Sequence, residues 1–229
     1  ALAEAPAMGG TCVNVGCIPK KLYSIGAHFA HDFADARGFG WDVQDPHLDW
    51  ARLKANRSQE IARLNGVYEQ LLTAAGVRLL RGWAQLLDPH TVKVQTTAGP
   101  QTVRARHILV ATGGTPSHPP IPGAELGVSS DSMFDLDPFP RRLVVVGGGY
   151  IACEFASIFR GLGADVTLLY RGEQVLRGFD DEVRHFIAGE LIRSGIDLRL
   201  ATEVRSLARG DAGVEVTLHD GSRLQGDTV

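Results

Sequence analysis

Residues 143–161 carry the pattern that leaves the chain least freedom. Leu143-Val144-Val145-Val146 is an apolar run of strand length, and Gly147-Gly148-Gly149-Tyr150-Ile151-Ala152 follows it as GxGxxA. An apolar helical stretch, CEFASIFRGLG, continues from the turn, and VTLLY at 166–170 supplies a second strand. Strand, glycine turn, helix and strand in that order read as one βαβ unit of a parallel sheet. The glycines let the backbone approach a pyrophosphate, and the unpaired N–H groups and dipole at the helix N-terminus favour an anion. Alone the turn is a weak sign. In this setting it marks a nucleotide site, with Gly147, Gly149, Tyr150, Ile151 and Ala152 as candidate contacts.

The position after the second strand decides which nucleotide. An acid there would take the ribose hydroxyls of NAD. This chain has Arg171 instead, with Arg177 six residues on, in YRGEQVLRGFD. A guanidinium suits a 2′-phosphate through charge-assisted, often bidentate hydrogen bonds. The predicted dinucleotide is therefore NADPH.

A second stretch, GGTCVNVGCIPKK at Gly9–Lys21, holds two of the three cysteines, Cys12 and Cys17. On a regular helix, residues five apart have Cα atoms roughly 8–9 Å apart, whereas a disulfide needs about 4.4–6.8 Å. If the two sulfurs pair, the turn must be distorted, and Gly16 is the residue that permits it. A close pair beside Lys20 and Lys21 suits a reactive dithiol better than a structural bridge. A zinc site would want a second Cys or His pair at ligand spacing, which the sequence lacks. Two unrelated buried thiols also fit the bare residues. Cys153, in the apolar run IACEFA, reads as a small buried side chain.

GGTCVNVGCIPKK closely resembles the redox-active segment of the flavoprotein disulfide reductases, most closely of those acting on glutathione disulfide, and the resemblance runs along nearly the whole chain. It implies that Cys12 and Cys17 form the disulfide that FAD reduces, with Cys17 next to the flavin and Cys12 exchanging with substrate. Gly10, Thr11 and Lys20 would contact FAD, as would Thr112 and Gly113 in a second flavin turn, Ala111-Thr112-Gly113-Gly114. Glu4 would be the ribose-binding acid of FAD. Tyr150 would cover the flavin until nicotinamide arrives, and Glu154 would pair with Lys20. Family members carry an arginine pair matching Arg171 and Arg177. RLNGVYEQLL makes Tyr68 and Val67 candidate contacts to glutathione disulfide, although both also fit as core residues. Dihydrolipoamide dehydrogenases and mercuric reductases typically carry Ser where Lys20 stands. Thioredoxin-type and trypanothione-type reductases share the Pro-Lys-Lys and are the nearer rivals; RLNGVYEQLL favours the glutathione type.

The expected fold is α/β, with two Rossmann-like nucleotide-binding domains, each a parallel sheet with helices and a β-meander. Residues 1–115 would be an FAD domain lacking its first βα unit. Residues 116–140, with six prolines, would be a linker, and 141–229 an NADPH domain cut short at its C-terminus. The family's dimerisation domain, with the His–Glu acid–base pair, is expected to be absent. The chain alone is then expected to be truncated at both ends and a poor catalyst, with the full protein a homodimer. Within this frame the sequence predicts helices over 22–36 and from Asp49 to about Ala75. Short strands follow at 77–82, 83–87, 91–96 and 101–105, and a buried strand at Ile108–Ala111. Beyond the βαβ unit come a helix at 180–194, a strand at 196–200 and a closing meander.

The 229 residues carry a net charge of −3, which offers no electrostatic case for nucleic acid or an anionic membrane. No apolar run approaches the roughly 20 residues of a membrane span. Few cysteines and no visible signal peptide make a cytoplasmic location the expectation. No metal ligand set is predicted.

Overall fold

The computed structural model describes residues 1–229 except Pro6 and Asp45. The described residues form two compact units, Ala1–Pro19 with Ala55–Thr115, and Lys20–Lys54 with Pro116–Val229. Among the described residues, five α-helices and three sheets make up an α/β architecture.

In the first unit, β1 (Leu2–Glu4) runs parallel to β2 (Leu79–Asp88), and β3 (Thr91–Thr96) and β4 (Gly99–Arg104) extend the sheet antiparallel in the order β1-β2-β3-β4. The runs expected at 77–82 and 83–87 are one strand of 10 residues. Gly82 is the reason. Its φ is +156°, and a Cβ there would overlap the Gln95 carbonyl, so only glycine lets the strand pass this close to β3. Residues before Gly82 pair with β1, and those from Gly82 onward pair with β3.

Ile108–Ala111, expected as a buried strand, is not one. Residues 107–119 have no regular structure, Leu109 is 89 % exposed and Val110 61 %. An apolar run becomes a strand only where a neighbour supplies its ladder hydrogen bonds, and among the described residues none pairs with it.

Helix α1 (Gly10–Val15) belongs to the first unit, as do residues 55–74 of α3 (Trp50–Ala74). Asp49 starts α3 as expected, its carboxylate accepting the Arg52 N–H at 2.9 Å. Ile61 is buried, while Leu71, expected on the same apolar face, is 61 % exposed.

The second unit is built on the predicted βαβ pattern. Strands β5 (Arg142–Val146), β6 (Asp165–Leu169) and β7 (Asp197–Arg199) are parallel and in that order. Helix α4 (Tyr150–Gly161) connects β5 to β6, and α5 (Asp181–Arg193) leads into β7. Asp180 caps α5, accepting from the N–H groups of Glu182 and Val183. An antiparallel meander, β8 (Val204–Gly210), β9 (Gly213–Leu218) and β10 (Arg223–Gly226), packs Val204, Leu207, Val216 and Leu218 with Val144 and Leu169.

Helix α2 (Cys17–Gly38) starts five residues earlier than expected, with Pro19 in the first turn, where no intrahelical N–H is needed. From Lys20 onward it belongs to the second unit. The Tyr23 ring packs 5.1 Å from Trp50 and 5.7 Å from Phe134, and its hydroxyl donates to the Phe134 carbonyl at 2.7 Å. Phe155 and Phe159 of α4 join this cluster. Each such fully buried aromatic contributes about 1.5–3 kcal/mol by burial alone. Residues 20–54 are therefore core partners of 134–159, where a division by sequence order puts them with the preceding residues. The proline-rich stretch contributes buried Met133, Phe134 and Pro140, so it is part of that core rather than a loose tether.

Candidate functional site

The dithiol segment is a helix broken at one residue. Cys12 lies in α1, Cys17 opens α2, and Gly16 separates them. A Cβ on Gly16 would sit 2.8 Å from the Thr11 carbonyl oxygen and 3.2 Å from the Cys12 Cα. The missing side chain is what allows the chain to fold back on the first cysteine's turn. Both cysteines are exposed, and Cys17 is a free thiol. Gly10, with φ +62°, and Thr11 are exposed at the start of α1.

Two amides that sequence reasoning missed fasten this segment. Asn65 of α3 donates to the Met8 carbonyl at 2.6 Å and to Asn14 Oδ1 at 3.0 Å. Asn14 in turn donates to the carbonyls of Met8 and Gly10, at 3.1 and 2.9 Å. The signal was an Asn inside each of the two quoted motifs, VNVG and RLNG. Two and three residues beyond Asn65, Val67 is half-buried and Tyr68 is 41 % exposed. Glu4, in β1, is half-buried and accepts the Ala5 N–H at 3.1 Å. Thr112 and Gly113 lie exposed in the irregular segment after Ala111, with Gly113 at φ +71°, and the buried strand expected to carry them is missing for the reason given above.

Within the second unit the structure brings Lys20 and Glu154 together. Lys20 Nζ donates to Glu154 Oε1 at 2.7 Å, with both side chains about one-third exposed. Helix packing sets this up. A Cβ on Gly161 would lie 2.9 Å from the Ala27 Cβ, so α2 and α4 touch where both residues are small. One and two turns towards the N-termini, Tyr23 is buried and Lys20 reaches Glu154.

The glycine turn between β5 and α4 has three differently used positions. Gly147 has φ +149°, a conformation that favours glycine, and a Cβ there would just touch the Ala152 Cβ at 3.4 Å. Gly148 is backed by an aromatic wall, since a Cβ there would overlap the Tyr170 ring. Gly149 faces open space, and its carbonyl takes the N–H of Cys153 at 3.1 Å. The N–H groups of the first turn of α4 precede that bond and have no intrahelical acceptor. Tyr150 is 58 % and Ile151 43 % exposed, the former opening α4. Arg171 and Arg177 are both exposed, on the loop that follows β6. An open cradle at a helix N-terminus with two guanidinium groups nearby in sequence can receive a pyrophosphate and a further phosphate. Tyr170, which sequence reasoning used only as a strand end, is the side chain that shapes this turn.

Cys153 is 6 % exposed, and burial, with the neighbouring Glu154 charge adding, pushes its thiol up to about 11. At neutral pH this favours the protonated thiol over the reactive thiolate. Among the described residues, no three His, Cys, Asp or Glu side chains gather as a metal ion would require. Among the same residues, no helix is long and apolar enough to cross a membrane.

Comparison with known proteins gives the family. The chain is 47 % identical, over all its 229 residues, to glutathione reductase of Burkholderia cepacia, covering 50 % of that protein. It is 39 % identical over 95 % of its length to glutathione reductase of Nostoc sp., covering 47 % of it. To the chloroplastic/mitochondrial glutathione reductase of Pisum sativum it is 46 % identical over 76 % of its length, covering 31 %. The chain thus spans half or less of these relatives. The model of one family, described as pyridine nucleotide-disulphide oxidoreductase, matches residues 1–229. The chain therefore belongs to the pyridine nucleotide-disulphide oxidoreductases.

Proposed function

We propose that the protein is an NADPH-dependent glutathione-disulfide reductase that uses Cys12 and Cys17 as its redox pair and maintains the thiol balance of the cell. The observation that carries this reading is the pair itself, two exposed cysteines either side of a helix break that only glycine permits. The names of the relatives, at up to 47 % identity, support the choice of substrate.

In this reading Gly147, Gly149, Tyr150, Ile151, Ala152 and Glu154 hold NADPH, and Arg171 and Arg177 take its 2′-phosphate. The open space at Gly149 and the exposure of both arginines fit that group. Glu4, Gly10, Thr11, Cys17, Lys20, Thr112 and Gly113 are assigned to FAD, and Tyr68 and Val67 to glutathione disulfide. FAD, when bound, relays two electrons from the nicotinamide to the Cys12–Cys17 disulfide. The chain's own residues do the rest. The reduced Cys12, as thiolate, attacks one sulfur of glutathione disulfide and releases one glutathione thiolate. Cys17 then attacks the Cys12 sulfur, releases the second glutathione and restores the disulfide. The balance is one NADPH and one proton consumed for two glutathione thiols formed. Lys20 and Glu154 hold each other in place, one charge compensating the other. By the nucleotide served, residues 1–115 are assigned to FAD, 116–140 to the connection and 141–229 to NADPH, although by packing residues 20–54 belong with 116–229. We place the protein in the cytoplasm, supported by its sparse cysteines, and take the full protein to be a homodimer, as the family resemblance implies.

NADPH oxidation by the natural protein, with glutathione disulfide as sole acceptor, tests this reading. Fast turnover with NADPH and slow turnover with NADH is the expected result. Flavin reduction without turnover would move the substrate to another disulfide, and a protein that binds no flavin would overturn the reading.

A further inference from the structure

Between Arg171 and Arg177 the backbone has no regular secondary structure. Both arginine side chains are exposed, so their directions are set by the path of the loop beneath them. Backbone bonds hold part of that path, among them the Ala201 N–H donating to the Gly172 carbonyl at 2.9 Å. Val175 is fully buried, Leu176 adopts the left-handed conformation at φ +57°, and its N–H donates to the Gly148 carbonyl at 2.6 Å. A non-glycine residue in that conformation costs on the order of 1–2 kcal/mol and persists only where surrounding contacts hold it. A side-chain contact comes from α5. Arg184 Nε donates to the Val175 carbonyl at 2.9 Å, and a terminal nitrogen donates to the Gln174 carbonyl at 3.2 Å. Its other terminal nitrogen donates to Asp181 at 2.7 Å. All three nitrogens of one rigid, permanently charged fork are engaged, and the side chain is 21 % exposed.

We infer that Arg184 is a positioning residue for 2′-phosphate recognition. It holds the carbonyls of Gln174 and Val175 and so presets the loop on which Arg171 and Arg177 stand. It touches no nucleotide itself. The inference rests on the assignment of those two arginines to the 2′-phosphate and names a residue outside them.

The test is calorimetric titration of the protein with 2′,5′-ADP, which carries the extra phosphate, and with 5′-AMP, which lacks it. The Arg184→Met variant is expected to bind 2′,5′-ADP on the order of tenfold more weakly, with 5′-AMP affinity unchanged. Arg184→Lys, which keeps the charge and reaches one carbonyl, is expected to recover part of the loss. Unchanged 2′,5′-ADP affinity in Arg184→Met overturns the inference alone. So does an equal loss for both probes in both variants, which marks Arg184 as general scaffolding. Equal affinity of the unaltered protein for the two probes overturns the two-arginine reading and the inference with it.

Discussion

Two glycine-shaped turns lie just before helices in this chain, and they use their glycines in opposite ways. At the dithiol segment, Gly16 is pressed against backbone, the Thr11 carbonyl and the Cys12 Cα. At the nucleotide turn, Gly148 is pressed against a side chain, the Tyr170 ring, and Gly149 against nothing. Backbone cannot move aside without unwinding a helix, a ring can move at a cost, and open space costs nothing. In the proposed function the first turn holds two thiols within reach of covalent exchange, which a geometry enforced by main chain suits. There the second turn admits a ligand from outside, which the open space at Gly149 suits.

The largest test is chemical. Cys12→Ser is expected to lower glutathione-disulfide reduction by roughly a thousandfold or more, since the hydroxyl cannot replace the thiolate nucleophile. Nucleotide binding at the second turn should be untouched. Turnover surviving the substitution would remove the dithiol from the mechanism and the contrast with it.

Glycine replacements then grade the two turns by stability. Gly16→Ala is expected to cost about 2–3 kcal/mol in urea denaturation, as its Cβ meets immovable backbone. Gly149→Ala, at extended φ in open space, should cost under about 1 kcal/mol while weakening NADPH binding. Equal costs at both positions would erase the distinction drawn above.

Gly148→Ala should fall between them, at about 1–2 kcal/mol. If the Tyr170 ring is the obstacle, the double variant Gly148→Ala/Tyr170→Ala will be non-additive by more than about 0.5 kcal/mol. Additive effects would mean that something other than the ring confines Gly148.

The smallest effect concerns Cys153, which follows the nucleotide turn as Cys12 and Cys17 flank the dithiol turn. At pH 8, iodoacetamide should label the two exposed cysteines of the reduced protein and leave Cys153 unmodified, as read by peptide mass spectrometry. The fold keeps this thiol protonated up to about 11, against 9.0 for an ordinary thiol. Stability linked to it is therefore intact below pH 9.0 and declines from there to about 11, as the unfolded chain ionises first. Rapid labelling at pH 8 would show that α4 opens readily.

Sequence and structure agree where a signal is local. The run LVVV, the glycines after it and the apolar helix became β5, the turn and α4, because each element satisfies its own periodicity and its neighbours follow directly in the chain. Asp49 was legible as a helix start for the same reason, whereas Asp180, expected as the first residue of its helix, is the cap before it. The quartet Ile108–Ala111 looks much like Leu143–Val146, yet only the second is a strand. β5 finds β6 in register from Arg142–Asp165 to Val146–Leu169, while the first quartet finds no ladder partner among the described residues.

The sequence by itself determined the chemistry on offer: a closely spaced dithiol, a phosphate-binding turn, and two arginines in place of an acid. Tertiary structure alone decided how those groups are held. It put Lys20 against Glu154, 134 positions away. It grouped residues 20–54 with 116–229 through an aromatic core, tied the dithiol helix to Asn65, and set Tyr170 and Arg184 behind the nucleotide turn and its arginine loop. Periodicity and capping are properties of a few consecutive residues, so they can be read along the chain. Ion pairs, ring contacts and strand partners depend on which distant segments meet, and burial of apolar surface over the whole unit makes that choice.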